Sequence, residues 1–444
     1  MTDIEAVGAG GVRDVPSEEA FRQEVLTFLE ATLPTKGSGA SGVVSFGGSG
    51  LSRSVAYQQK LADAGLAGIT WPAAYGGRGL PGRYQRIYDR ESKAFQIPPR
   101  SLEIGLGMCG PTLLVHASEE QKKTFIPPLL RGDHVWCELF SEPGAGSDLS
   151  SVQTRARRDG DEFVLDGQKV WTSGAQHSDY AACLVRTDST RPKREGISML
   201  IVDMHVPGVT VRPLRQITGE SHFNEVFLDE VRVPAANVVG EIDDGWRVAR
   251  SMLAFERQAL GNMGGGGGGK GGFAALAEEA KRRDLAARPV LRDHLVQLRI
   301  RQMVLRYLTA YLQVKARGGD GAAASVLKLA MAQLVQQSAL VAVETAGMHA
   351  IAWTADDPNG GRWSDQLLSS QSASIGGGTN QIVRNVIAER VLGLPRDAEG
   401  DLMPGDLDRA GRDSGGRGGN GPDKGQTGAR PQNPPQAVGA TRGH

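Results

Sequence analysis

Two hydrophobic periods divide the chain. From Ser17 to about Leu130, apolar residues recur every three or four positions: Phe21, Val25, Phe28, Leu29 and Leu33 form one stripe behind Ser17, whose hydroxyl suits an N-cap. Residues 51–64 repeat the pattern up to Gly65. These spacings predict amphipathic helices. From about Val135 to Pro234 the period shortens to two, in short runs at 181–185, 197–202, 209–212 and 225–233. Asp159-Gly160 and Asp166-Gly167 read as hairpin turns between such runs, so an antiparallel sandwich or barrel is expected. After Gly245 the helical period returns in four long stripes, roughly 245–262, 290–316, 321–352 and 379–393, which suit a four-helix bundle. The expected architecture is α+β multidomain: an N-terminal helical domain over 15–134, a central β domain over 135–240, a C-terminal helical bundle over 241–397, and a disordered tail over 398–444.

Composition refines this picture. The 60 glycines concentrate at 35–50, at 264–272 and beyond 400. The tail carries no aromatic residue and cannot offset its ordering entropy, while 35–50 reads as a flexible connector. Six consecutive glycines at 264–269 cost about 5–6 kcal/mol against alanine, so a helix should end or unwind there. Lysine plus arginine total 50 and aspartate plus glutamate total 50, which gives no electrostatic pull toward nucleic acid. Cys109, Cys137 and Cys183 are too few for a disulfide framework and favour a reducing compartment, the cytoplasm by default. The N-terminus lacks a signal-peptide pattern, and no apolar stretch is expected to reach the roughly 20 residues that span a bilayer. The eight histidines show no paired-ligand spacing, so no metal site is expected.

Two glycine motifs imitate nucleotide loops. Residues 105–110 fit G-x-G-x-x-G but sit inside the helical block, where a helix-connecting turn is the better reading. Residues 264–270 lack the following Ser or Thr and the preceding strand of a phosphate loop. The chemistry points elsewhere, to Ser141-Glu142-Pro143-Gly144-Ala145-Gly146-Ser147-Asp148 and, downstream, Gly167-Gln168-Lys169-Val170-Trp171-Thr172-Ser173-Gly174. Small residues at 144–147 let backbone N–H groups and two hydroxyls approach an anion, and Trp171 offers a flat face for an aromatic ring. A polar turn beside a core tryptophan explains the same residues equally well.

With these segments in view the chain resembles the acyl-CoA dehydrogenase family from about Glu19 to Arg396. Gly65-Leu66-Ala67-Gly68 with Pro72 and Tyr75-Gly76-Gly77, then Glu120-Gln121-Lys122, the two segments above, Gly378-Thr379-Asn380-Gln381-Ile382 and Ala388-Glu389-Arg390-Val391-Leu392-Gly393 follow the family's order. The resemblance implies α,β-dehydrogenation of an acyl-CoA thioester on FAD, with electrons passed to an electron-transfer flavoprotein. By the same carry-over, Ser141 bonds the flavin ring, Ser147 the pyrophosphate, Trp171 and Ser173 cover the ring's other face, Thr379 lies at the cofactor, and the backbone of Phe140 meets the flavin.

The reaction also needs a base for the α-proton. Many family members place a glutamate just before the Gly-Thr of the last motif; here that position is Gly377, whose backbone N–H could still hold the thioester carbonyl. A minority carry the base on the first C-terminal helix before an arginine, and Phe255-Glu256-Arg257 matches that arrangement, which makes Glu256 the candidate base and Arg257 its substrate-side neighbour. A solvated helix glutamate is the competing explanation.

Two further departures concern assembly. The family's Arg-x-x-Phe-Gly segment, which reaches a neighbour's FAD, appears as Arg283-Asp284-Leu285-Ala286-Ala287, and a nearby Gly-Gly pair appears as Gly347-Met348 with Glu344 for the usual Gln. The resemblance therefore implies an oligomer, homomeric or mixed with a homologous chain, and a bulky, branched or steroid-derived acyl group. A non-catalytic partner subunit and an oxygen-using relative are the rival readings.

Overall fold

The structure, a computed structural model, describes residues 15–36, 48–264, 272–315, 323–354 and 361–395. The expected connector, most of the glycine run and the expected disordered tail therefore lie largely outside the described residues.

Ser17 starts the first helix as its hydroxyl predicts: Oγ accepts from the Ala20 N–H at 3.1 Å, and α1 (Glu18–Thr32) buries Phe21, Val25 and Leu29 completely. With α2 (Gly48–Asp63) and α3 (Gly82–Glu91) it encloses a core in which Phe21 meets Tyr84 edge-on at 5.1 Å. The expected turn at 105–110 is instead a π-helical turn, Gly105–Cys109, that runs straight into α4 (Gly110–His116). Its glycines serve close packing: a Cβ on Gly110 would lie 2.3 Å from the Trp71 indole, and one on Gly107 would lie 2.7 Å from the Glu103 carboxylate. A capping box of Ser118 and Gln121 opens α5 (Glu119–Arg131), and Gln121 Nε2 also donates to the carbonyls of Ala236 and Val238, which ties this helix to the strands that follow.

The strands are β1 (Trp136–Leu139), β2 (Arg155–Asp159), β3 (Glu162–Ser173), β4 (Tyr180–Arg186), β5 (Ile197–Asp203), β6 (Val209–Leu214), β7 (Phe223–Pro234) and β8 (Val238–Val239). They form one sheet in the order β6-β7-β3-β2-β4-β5-β8, antiparallel except where β4 pairs with β1 and touches β2. Asp159-Gly160 does close the β2–β3 hairpin, with Gly160 at φ 62°. Asp166-Gly167 closes nothing: β3 continues through it, and a bulge sits there because β7 advances three residues, Val231 to Leu228, while β3 advances two, Leu165 to Gly167. Glycine is required at 167 by the neighbouring chain segment that leads into β2, since a Cβ would stand 2.7 Å from Thr154 Cα. Gly167→Ala should therefore lower stability by about 1–3 kcal/mol, read as a fall in melting temperature.

The helical period after 245 gives α6 (Gly245–Gly264), α8 (Pro289–Lys315), α9 (Ala323–Ala346) and α11 (Asn380–Arg390), with two short helices not anticipated, α7 (Phe273–Arg282) and α10 (Arg362–Ser370). Every other member of this block packs against α9. That role explains a correction. Ser325–Ala350 is 26 residues long with a mean hydropathy of 1.4, enough by length and composition to cross a membrane, although no such stretch was expected. In this fold Ala332, Ala339, Ala342 and Ala346 of that stretch are buried against neighbouring helices. All three cysteines are buried and free.

Candidate active site

The site starts from a buried ion pair. Lys169 Nζ, completely buried in β3, lies 2.8 Å from Glu142 Oε1 and also donates to the carbonyls of Phe140 (3.1 Å) and Leu184 (2.6 Å). Glu142 accepts in turn from the amides of Gln153 (2.6 Å) and Thr154 (2.9 Å). Burial opposes its ionisation, but the Lys169 ammonium and these donors outweigh it and hold the carboxyl below its ordinary range. All three ammonium donors of Lys169 are used and both oxygens of Glu142 accept, which ties the loop after β1 to β3 and β4. A backbone bond from Val170 N to Ser141 O, 2.9 Å, then fixes β3 against the Phe140-Ser141 segment.

Trp171 is displayed by a second bulge. Between Lys169 and Thr172 β3 advances three residues while β7 advances two, and the extra residue puts Trp171 at φ 62°, in the left-handed region that tryptophan rarely occupies. The ring is 62% exposed and meets Phe223 edge-on at 6.2 Å. The core tryptophan considered above is thus excluded. Strain that presents an apolar plate to the outside marks a binding feature. Beside it, a Cβ built on Gly144 or Gly146 would meet nothing within 4 Å, so this backbone is open to an approaching anion. Among the described residues the hydroxyls of Ser141, Ser147 and Ser173 have no hydrogen-bond partner, and a cavity of about 410 Å³ borders the turn at Pro143, Gly144 and Gln168. An aromatic plate, an open glycine turn and unengaged hydroxyls fit the ring and pyrophosphate of a flavin dinucleotide.

The helical half carries Glu256, Arg257 and Lys328. Glu256 is half-buried on the α6 stripe of Val248, Met252 and Ala259, and is not a solvated surface glutamate. Burial raises its pKa, while the charges of Arg257 and Lys328 pull it back down. Lys328, on α9 and 5% exposed, donates to Gly378 O at 2.6 Å and to Asn380 Oδ1 at 3.2 Å. Lys328, whose charge also acts on Glu256, is thus fixed to the segment that contains Gly378 and Asn380, and it is a lysine that the sequence alone did not single out; its only signal was one cation inside the apolar stripe of α9. Gly377 and Gly378 have φ 68° and 92°, so a side chain at either position would be strained. Thr379 Oγ1 caps α11 by accepting from Ile382 N at 3.2 Å.

Arg283 stands apart from these groups, at the end of α7, where Nε donates to Glu279 at 2.5 Å and a guanidinium N–H reaches Ala346 O at 3.1 Å. Glu344 has its own partner, His294 Nδ1 at 2.6 Å, which raises the histidine's pKa. Met348 is 69% exposed.

Three domain families match along the chain: acyl-CoA dehydrogenase N-terminal domain over 16–133, middle domain over 137–231 and C-terminal domain over 243–392. A curated relative, acyl-CoA dehydrogenase IpdE1 of Mycolicibacterium smegmatis, is 36% identical over 398 residues, covering 86% of this chain and 99% of the relative. Among solved structures, the Tcur3481-Tcur3483 steroid ACAD superposes with a TM-score of 0.72 at 30% identity, covering 87% of this chain and 100% of that one. The ChsE4-ChsE5 complex from Mycobacterium tuberculosis gives 0.67 at 27% identity, covering 87% of this chain and 100% of that one. By its three domains and its relatives, the chain belongs to the acyl-CoA dehydrogenase family of flavoprotein oxidoreductases.

Proposed function

We propose that this acyl-CoA dehydrogenase uses Glu256 as its base, FAD as its redox group, and a bulky polycyclic acyl-CoA as substrate. The observation that carries the reading is the partly buried place of Glu256 on the α6 stripe, under the charge of a lysine, Lys328, that is itself hydrogen-bonded to Gly378. Glu256 takes the proton α to the thioester, and a hydride equivalent leaves the β carbon, so the single bond between them becomes double. FAD, when bound, supplies the acceptor for that hydride. The Gly377 N–H holds the thioester carbonyl and stabilises the charge that develops as the α-proton departs. Arg257 lies beside Glu256 on the substrate side. Phe140, Ser141, Trp171, Ser173 and Thr379 hold the flavin ring, and Ser147 with the open glycine turn holds the pyrophosphate. Electrons then pass to an electron-transfer flavoprotein.

Substrate size follows from what is missing. Gly377 carries no side chain where many members of the family carry a glutamate, so the acyl pocket should be the wider for it. One structural relative is described as a steroid ACAD, which agrees with a wide pocket. Anaerobic mixing of the flavin-loaded chain with a panel of thioesters tests the proposal. Flavin bleaching should be fastest with a polycyclic acyl-CoA; faster bleaching by butyryl- or octanoyl-CoA would overturn the substrate assignment, and failure to bind flavin would overturn the chemistry.

The working form is an oligomer. On α8, Val296, Ile300, Val304, Tyr307 and Tyr311 recur at helical spacing and are 46–64% exposed, a continuous apolar face. We assign it to a second copy or a homologous chain. Replacing Val304 and Tyr307 by glutamate should lower the mass measured by light scattering to that of one chain; an unchanged mass would count against the assignment.

A further inference from the structure

Lys328 is a buried cation whose hydrogen bonds the chemistry above does not use. It sits on α9, 5% exposed, and forms no ion pair among the described residues; its partners are Gly378 O at 2.6 Å and Asn380 Oδ1 at 3.2 Å. A lysine is rarely buried without a carboxylate, because desolvating the ammonium is costly. The place is unfavourable in a second way: Asn380 opens α11, so the ammonium meets the positive end of that helix. Both bonds go to one short segment, and that segment is what the cost serves. It contains Gly376-Gly377-Gly378, three residues with no side chain to anchor them. Before it, the amides of Ile375 and Gly376 both donate to Ser372 O; after it, Thr379 accepts from the amides of Ile382 and Val383 and so starts α11. Among the described residues, the one hydrogen bond between these two ties is that from Lys328 to Gly378 O. Packing confines the turn little: a Cβ on Gly376 would come no nearer than 3.6 Å to Ser372 O, and one on Gly378 no nearer than 3.9 Å to Val383 Cγ2. The Gly377 N–H has no backbone partner among the described residues, which leaves it open to a substrate carbonyl.

We propose that Lys328 is a positioning residue for the thioester: by pinning Gly378 and Asn380 it holds the glycine turn in one shape, with the Gly377 N–H fixed where the carbonyl is received. This rests on the reading of Gly377 as the carbonyl's donor. A donor fixed beforehand needs no reorganisation as charge develops on the oxygen, and a misplacement of about 1 Å is enough to slow a reaction about a hundredfold.

Lys328→Met tests this, since it fills similar space without the charge or the donors. The first readout involves no turnover: the infrared carbonyl band of an isotope-labelled thioester, the α,β-unsaturated product of a polycyclic acyl-CoA, bound to the flavin-loaded protein. In the wild type the band should be narrow and lie below that of the free thioester, because one donor is held in one place. In Lys328→Met it should broaden and move back toward the free value. An unchanged band in the variant would overturn the assignment to Lys328 and leave the Gly377 reading intact; a wild-type band at the free value would overturn both. Flavin reduction gives the second readout. Lys328 and Arg257 both pull the pKa of Glu256 down, so the acid limb of the variant should move to higher pH. Above that limb, where Glu256 is ionised in both proteins, the variant should remain at least about tenfold slower, and Lys328→Arg should recover part of the rate. A variant that regains the wild-type rate at high pH would mean that Lys328 acts through the charge of the base alone, and the positioning assignment fails. If Lys328→Met does not fold, Lys328→Gln, one bond shorter than the lysine, takes its place with the same expectations.

Discussion

Glu256→Gln should retain flavin, bind acyl-CoA and reduce the flavin at least about a hundredfold more slowly than the wild type, the lower range for losing a positioned general base. The substitution keeps the shape and a hydrogen-bonding end but removes the basic oxygen. Stopped-flow bleaching of the flavin measures it. The pH dependence has a definite sign: the base works only when ionised, and burial raises its pKa against the pull of Arg257 and Lys328, so the wild-type rate should climb with pH through a limb above the ordinary carboxylate value of 4.5. A variant that reduces flavin at nearly the wild-type rate would move the base elsewhere, and a partner subunit whose chemistry is done by another chain would become the better account.

The second large effect is on stability. Lys169→Met leaves the Glu142 carboxylate buried without its cation and should cost about 3–5 kcal/mol, with flavin lost at the same time because the Phe140 carbonyl loses its donor. Removing both partners, Glu142→Gln with Lys169→Met, should recover part of that loss. Chemical unfolding of the three proteins checks the order. Because the folded carboxyl of Glu142 is held below its unfolded value of 4.5, its contribution is present above that pH and disappears as pH falls through the folded value. The wild type should therefore lose more stability on acidification than the double variant.

The large divisions were legible because period is a local property: Phe21, Val25 and Leu29 announce a helix whatever lies around them, and Ser17 caps it from the next position. Asp166-Gly167 failed for the converse reason. Its dipeptide signal is local, but the glycine answers to Thr154 across the sheet, and no window centred on 166 contains that contact. Glu256 was found through its neighbours in sequence, Phe255 and Arg257. Lys328 was not, since its partner Gly378 is 50 residues away and a single lysine in an apolar helix carries no motif.

The two bulges of β3 form a compensated pair. At the first, the surplus residue belongs to β7, where Glu230 takes a left-handed φ of 49°; at the second it belongs to β3, at Trp171. The frame lost at Gly167 is regained at Thr172, so Ser173 meets Phe223 in the same phase as Leu165 meets Val231. In genetic terms each insertion suppresses the other. A one-residue deletion near Trp171 would throw Ser173 onto the wrong side of the sheet, and a second deletion near Glu230 would restore it, leaving a sheet that is regular throughout and has nowhere to display its tryptophan.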